Sequence, residues 1–134
     1  MVDLAPGVTA TIELLVEKGN CTQRGDYHIF STPELVLLLE LTAIKALAPY
    51  LPAERSSVGS KVDMAHSAPT LLGQRVWSTA TIKEVDRRRI LFDIAVRDEF
   101  GTIGSGTHER FIVDLDKFSA RLADKARAVA ARAN

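Results

Sequence analysis

The spacing of apolar and polar positions divides the chain into strand-like and helical segments. Residues 8–17 alternate, with apolar side chains at every second position, which predicts a strand with one buried face. Four later segments have the alternation or the β-branched and aromatic content of strands: 56–66, 74–85, 89–98 and 102–114. Their connections are short, and DEFG in particular indicates a hairpin, so the predicted sheet is mainly antiparallel.

Residues 32–47, TPELVLLLELTAIKAL, predict a helix that is apolar on nearly every side. Pro33 suits the first turn, and both Ser31 and Thr32 are candidate caps. The helix should end before Pro49, because the residue ahead of a proline disfavours the helical region. Its own sheet can cover only one face of this helix. We therefore expect further cover from a partner subunit.

The remaining segments complete the predicted architecture. Residues 18–30 are polar and turn-rich and are predicted to form a loop that contains Cys21. Residues 116–131 have apolar side chains near helical spacing in an Ala-, Lys- and Arg-rich segment, which predicts an amphipathic surface helix. The order of elements predicts one α+β domain over residues 1–134. Its curved antiparallel sheet wraps around the central apolar helix, and the C-terminal helix lies on the surface.

Composition and charge narrow the possible partners. Seventeen basic and seventeen acidic side chains cancel, so nothing favours a nucleic acid. The longest apolar run, LVLLLEL, is too short to span a bilayer and contains Glu40. One cysteine and an N-terminus without a signal pattern favour a cytoplasmic location. The three histidines lack metal-ligand spacing, which argues against a metal site.

Glu40 is the first candidate for chemistry, because a carboxylate inside an apolar helix must be paired, hydrogen-bonded or protonated. The alternative is that Glu40 occupies the one exposed position of the helix, or is paired with Lys45 or a backbone amide. His66, at the end of a strand-like segment, and Thr32, a candidate cap, are the next candidates, each with an ordinary structural alternative. His28 and His108 carry weaker signals than these.

Three segments give these candidates more weight, because they resemble the fluoroacetyl-CoA thioesterase branch of the acyl-CoA thioesterases. They are TPELVLLLELTAIKALAPYL, VGSKVDMAHSAPTLLGQRV and IGSGTHERFIVDLDKF, of which GSGTHER is the most distinctive string. The order of elements is also similar to the hotdog fold, in which an antiparallel sheet wraps a central helix. The resemblance implies an acyl-CoA thioesterase that acts as a homodimer, with a tetramer left open, and needs no cofactor beyond the coenzyme A of its substrate.

The resemblance also implies roles for individual residues. Thr32, Glu40 and His66 match the spacing of the family's catalytic threonine, glutamate and histidine. Glu40 would act as a nucleophile or as a base that activates water, while His66 would transfer protons and Thr32 would bond Glu40 or the reacting oxygen. The backbone amide of Gly59 would face the thioester carbonyl. Thr32 and Glu40 lie about 12 Å apart along a regular helix, so a direct contact needs the other subunit, or the substrate must lie between them.

Two further expectations concern the substrate. Only GDYHIFS precedes Thr32, whereas the fluoroacetyl-specific members carry a longer lid there, so we expect a different acyl group. Arg87, Arg88 and Arg89 are candidates for contacts with coenzyme A phosphates, although a solvated turn is the favoured interpretation. A non-catalytic binder of acyl-CoA or a small apolar carboxylate is the alternative function. A dehydratase is less favoured, because no hydratase signature is evident.

Overall fold

The computed structural model describes residues 4–132, which form an antiparallel sheet curved around one helix. Five strands are hydrogen-bonded in the order β1-β5-β6-β7-β4, and β2 and β3 form a separate hairpin. The elements in chain order are β1 Thr9–Leu15, β2 Cys21–Arg24, β3 Tyr27–Phe30, α1 Thr32–Leu47, β4 Arg55–His66, β5 Arg75–Asp86, β6 Arg89–Asp98, β7 Gly101–Asp114 and α2 Leu115–Arg132. Short 3₁₀ turns at Lys18–Asn20 and Ala48–Tyr50 complete the connections. The predicted fold class is confirmed.

The predicted loop over residues 18–30 is wrong, because most of this segment is the β2–β3 hairpin. Gly25, at a positive φ of 59°, makes the turn, and Cys21 begins β2. Seven of the eight strand side chains are exposed or only half-buried, so no apolar alternation marks the hairpin in the sequence. Phe30 is the exception, with 1% of its surface exposed.

Helix α1 packs one face on the sheet and leaves another uncovered in a single chain. Its buried side chains are Leu35, Leu38, Leu39, Thr42, Ala43, Ala46 and Leu47. On the opposite side Leu37, Leu41 and Ile44 remain 50%, 46% and 43% exposed. The spacing of four and three residues places them on one stripe. The sheet therefore covers only part of an apolar helix, as the pattern of the sequence predicts.

Strand β4 forms one edge of the sheet and pairs only with β7 among the described residues. The two backbones approach closely at Gly106, where a Cβ atom would overlap the carbonyl oxygen of Asp63. This close approach requires glycine. The other side of β4 carries no strand partner within residues 4–132.

Helix α2 lies on the surface, as predicted. None of its side chains is buried, and Leu122 and Val129 are 53% and 46% exposed. No helix within residues 4–132 has both the length and the apolar character required to cross a bilayer.

Candidate active site

Thr32 and His66 form the first of two polar clusters, which we call the threonine–histidine cluster. The α1 cap is Ser31, whose Oγ accepts a hydrogen bond from the Glu34 amide at 3.3 Å. The Thr32 side chain is therefore not used for capping. Its Oγ1 lies 2.8 Å from His66 Nδ1, at the end of β4.

One ring nitrogen of His66 is engaged and the other is not. Its Nε2 is buried and has no hydrogen-bond partner among the described residues, and the ring contacts Phe30 edge-on at 6.5 Å between centroids. Burial lowers the pKa of His66 below its ordinary 6.5, and the backbone of Ala68 acts in the opposite direction. A buried, unpaired imidazole nitrogen is suited to exchange a proton with a bound molecule.

The threonine–histidine cluster opens into a cleft of about 460 Å³. The β2–β3 hairpin supplies one wall through Thr22, Arg24 and Ile29, and the start of α1 and the loop after β4 supply the others. Tyr27, at the tip of the hairpin, is 64% exposed. The residues before Thr32 therefore line the cleft beside His66, with most of Tyr27 left in solvent.

Glu40 belongs to a second group, the glutamate–arginine cluster, which consists of Glu40, Gly59, His108 and Arg110. The Glu40 side chain is 38% exposed, and its Oε2 lies 3.8 Å from Nη1 of Arg110, whose side chain is only 4% exposed. Burial lowers the pKa of Arg110 below its ordinary value, and Glu40 opposes this shift. The cluster faces a separate cavity of about 290 Å³.

Arg110 and His108 are held by several hydrogen bonds beneath Glu40. Arg110 donates from Nε to Ser57 Oγ at 2.9 Å and from Nη2 to Ser57 O at 3.0 Å. Its Nη1 lies 3.2 Å from His108 Nε2, and His108 Nδ1 lies 2.8 Å from the carbonyl oxygen of Lys61. These contacts hold the two side chains rigidly, because both ring nitrogens of His108 and all three guanidinium nitrogens of Arg110 have hydrogen-bond partners.

Gly59 lies directly against the other three members of this cluster. A Cβ atom there would be 3.2 Å from Arg110 Nη1, 3.4 Å from His108 Cε1 and 3.5 Å from Glu40 Oε2. Because glycine has no side chain, these three polar groups can occupy the space beside it. Gly59 therefore lies beside Glu40, and the role of its backbone amide towards a thioester carbonyl stays a prediction.

Comparisons with known proteins identify the family. A family model described as fluoroacetyl-CoA-specific thioesterase matches residues 11–116. A relative from Streptantibioticus cattleyicolor, named fluoroacetyl-CoA thioesterase, is 37% identical over 98 residues, which cover 73% of this chain and 70% of that protein. The chain belongs to the fluoroacetyl-CoA-specific thioesterase family.

Solved structures agree with this family. A phenylalanine-to-alanine variant of the thioesterase FlK, solved with fluoroacetate and CoA, is 30% identical, with a TM-score of 0.80 over 86% of this chain and 99% of that one. A hot-dog-like protein from Thermanaerovibrio acidaminovorans is 24% identical, with a TM-score of 0.82 over 90% and 91% of the two chains, and supports the fold alone. The hotdog fold and the class of thioester hydrolase are confirmed.

Within one chain of this thioesterase, the predicted catalytic residues do not come together. Thr32 contacts His66, Glu40 contacts Arg110, and α1 is regular between Thr32 and Glu40. Eight residues of helix separate these two by about 12 Å along the axis. The structure thus presents two clusters at different places along α1.

Sequence reasoning gave little weight to His108 and overlooked Arg110. Both are buried, at 1% and 4% exposure, and Ile112 follows them on the same face of β7. The available signal was a pair of polar residues, one charged and one titratable, at alternate inward-facing positions of a strand. Both lie in the string GSGTHER, which carried the resemblance.

The three arginines of the β5–β6 turn are already engaged in ion pairs. Arg87 pairs with Asp86, Arg88 with Asp114, and Arg89 with both Glu84 and Glu109. Only Arg87 is largely exposed, with 90% of its side chain accessible. Within residues 4–132, no three His, Cys, Asp or Glu side chains are grouped so as to hold a metal ion.

Proposed function

We propose that the chain hydrolyses a short acyl-CoA thioester in a site shared by two protomers. The threonine–histidine cluster of one protomer would meet the glutamate–arginine cluster of its partner. The observation that carries this proposal is the separation of Thr32 and His66 from Glu40 within one chain, although all three match the family's catalytic residues.

The open edge of β4 supports this arrangement. Gly59 and His66 lie on β4 seven residues apart, with their midpoint between Val62 and Asp63. If two β4 strands pair antiparallel about that midpoint, Gly59 of each protomer opposes the partner subunit's His66. This pairing would also give hydrogen-bond partners to the backbone groups on the free edge of β4.

The exposed stripe of α1 supports a homodimer. Leu37, Leu41 and Ile44 are between 43% and 50% exposed on the helix that carries Glu40. An apolar stripe on a central helix is costly in water, and a second copy of the same helix would bury it. We therefore propose a homodimer, and leave the tetramer as an open question.

Each proposed role follows from the local contacts. Glu40 would either remove a proton from the water that attacks the thioester carbonyl, or attack that carbonyl itself and form an acyl anhydride that water then hydrolyses. In both routes the Gly59 amide would bond the oxygen that becomes negative. Thr32 engages Nδ1 of His66 and leaves Nε2 available to give a proton to the departing thiolate. The products would be a carboxylic acid and free coenzyme A, with no further cofactor.

The acyl group is proposed to be short and not restricted to fluoroacetyl. The relatives are described as specific for fluoroacetyl-CoA, whereas Tyr27, in the hairpin before α1, is largely in solvent. Contacts of Arg87, Arg88 and Arg89 with coenzyme A phosphates remain part of the proposal. To bind phosphate groups, these arginines would have to break their present ion pairs.

Subunit complementation tests the shared site. Glu40→Gln and His66→Ala homodimers should both be inactive towards a panel of acyl-CoA substrates, including acetyl-CoA and fluoroacetyl-CoA. A mixture that has exchanged subunits should regain about one quarter of the wild-type activity, because half of the dimers then contain one intact site out of two. Release of free thiol measures the recovery.

A mixture that stays inactive although heterodimers have formed would contradict the shared site. Glu54→Gln is the matched control, since Glu54 is an exposed carboxylate outside both clusters and should keep full activity. Acyl-CoA binding by the wild-type protein without thiol release would instead favour the non-catalytic binder.

A further inference from the structure

His108 lies behind Glu40 and has a contact on each ring nitrogen. Nε2 lies 3.2 Å from Arg110 Nη1, and Nδ1 lies 2.8 Å from the Lys61 carbonyl oxygen. A guanidinium can only donate hydrogen bonds, so Nε2 must accept and Nδ1 must carry the proton. The contacts therefore select one neutral tautomer of His108.

The same contacts set the plane of the Arg110 guanidinium. Its Nε and Nη2 donate to Ser57, and one hydrogen of Nη1 points to His108. Glu40 Oε2 lies 3.8 Å from the same Nη1. Because the guanidinium is planar and rigid, fixing three of its five N–H donors also fixes the directions of the other two, one of which is on Nη1.

We propose that His108 is a positioning residue for the thioesterase reaction, which orients Arg110 so that Arg110 holds Glu40 aimed at the reacting carbonyl. This inference rests on the proposed role of Glu40. A doubly protonated His108 would place Nε2–H against an N–H of Arg110 and break the contact.

The surroundings of His108 favour the neutral form. The charged and titratable groups that face it are Arg110 and Glu109 on β7, Glu40 on α1 and Lys61 on β4. Burial is the largest cause and lowers the pKa of His108 below 6.5, while the Lys61 carbonyl opposes and Arg110 adds to the lowering. Phe92 of β6 stacks on the ring at 6.4 Å. His108 is therefore neutral at the pH where Arg110 needs an acceptor.

Two substitutions separate this role from packing. His108→Asn keeps a donor near the Nδ1 position but has no acceptor near Nε2, whereas His108→Gln can place its amide oxygen near Nε2 but loses the Nδ1 donor. Both remove the ring that stacks on Phe92. Each variant is thus the packing control of the other.

The measurement is steady-state hydrolysis of the acyl-CoA that the wild-type protein turns over fastest. We expect His108→Asn to lower kcat about 10- to 100-fold, because small displacements of a reacting group are this costly. KM should change little, since Arg110 and His108 are buried. His108→Gln should keep most of kcat, while both variants should have similarly lowered melting temperatures.

Equal kcat losses in the two variants, or no loss in either, would overturn the role of His108 while leaving that of Glu40 intact. A Glu40→Gln variant with the wild-type rate would overturn the proposed function itself. If the variants do not fold, nitrogen NMR on the labelled wild-type protein reads the tautomer directly. Protonated Nδ1 and unprotonated Nε2 near neutral pH support the inference, and the reverse tautomer overturns it.

Discussion

The two polar clusters of this thioesterase differ in how complete they are within one chain. In the threonine–histidine cluster, Thr32 holds His66 at Nδ1, and Nε2 lacks a hydrogen-bond partner within residues 4–132, beside an open cleft. In the glutamate–arginine cluster, Arg110 and His108 are buried and hydrogen-bonded, whereas Glu40 and Gly59 reach solvent. Within one chain, the threonine–histidine cluster is thus an incomplete proton-transfer group, whereas the glutamate–arginine cluster holds a carboxylate that buried side chains support.

The difference indicates how two protomers would share such a site. A carboxylate needs a nearby cation and fixed dipoles to stay charged and oriented, and a single chain can supply these from its own core. A proton-transfer histidine must meet the substrate, so one of its nitrogens stays free until the substrate or the partner subunit arrives.

The largest effect is expected where the two clusters are brought together. Leu41→Glu places a charge on the exposed stripe of α1, and burying it unpaired against a partner should cost about 2–5 kcal/mol. We expect monomers and loss of nearly all hydrolysis, measured by analytical ultracentrifugation with thiol release. Leu122→Glu, at an equally exposed leucine of α2, should change neither. An active monomeric Leu41→Glu variant would mean that one chain holds the whole site.

The next effect concerns the glutamate–arginine cluster alone. Gly59→Ala would put a methyl group 3.2 Å from Arg110 Nη1, so the guanidinium or Glu40 must shift. We expect kcat to fall about 10- to 100-fold with the dimer retained. Gly19→Ala is the control, because nothing lies within 4 Å of a Cβ at that position. A Gly59→Ala enzyme with wild-type kcat would show that this packing is not needed.

A smaller effect is expected in the threonine–histidine cluster. Thr32→Val removes the hydroxyl that bonds His66 Nδ1, a loss of about 1 kcal/mol, and should lower kcat several-fold up to about tenfold. Thr32→Ser keeps the hydroxyl and should stay close to the wild-type rate. Because Ser31 is the cap, neither change should shorten α1, which circular dichroism can check. Equal rates for Val and Ser would contradict a role for this bond.

The smallest effect is the pH dependence of stability. The pKa values of His66 and His108 are lower in the folded protein than the ordinary 6.5, so the unfolded chain takes up protons first as the pH falls. The free energy of unfolding should be fully retained above pH 6.5 and should decrease from there towards the folded pKa values. Denaturant titrations at several pH values measure this slope. His108→Gln should make the slope shallower, and an unchanged slope would contradict the assignment to His108.

Much of the fold was predictable because its elements have clear periodicity. Strand β6, Arg89–Asp98, and helix α1, Thr32–Leu47, have the predicted bounds. The β2–β3 hairpin was missed because most of its side chains are exposed or half-buried, so no apolar alternation marks it. Within the candidate site, the string GSGTHER carried the resemblance, but His108 was given little weight, since spacing along the chain does not reveal burial.

The sequence by itself determined the fold class, the thioesterase family and the candidates Thr32, Glu40 and His66. These depend on periodicity and on residue types at given spacings, which are properties of a linear chain. Only the tertiary structure decided that Thr32 bonds His66 and that Arg110 lies beneath Glu40. The physical reason is that β4 and β7 pair residues distant in the chain, such as Gly59 with Arg110, so hydrogen-bond partners depend on strand register and burial.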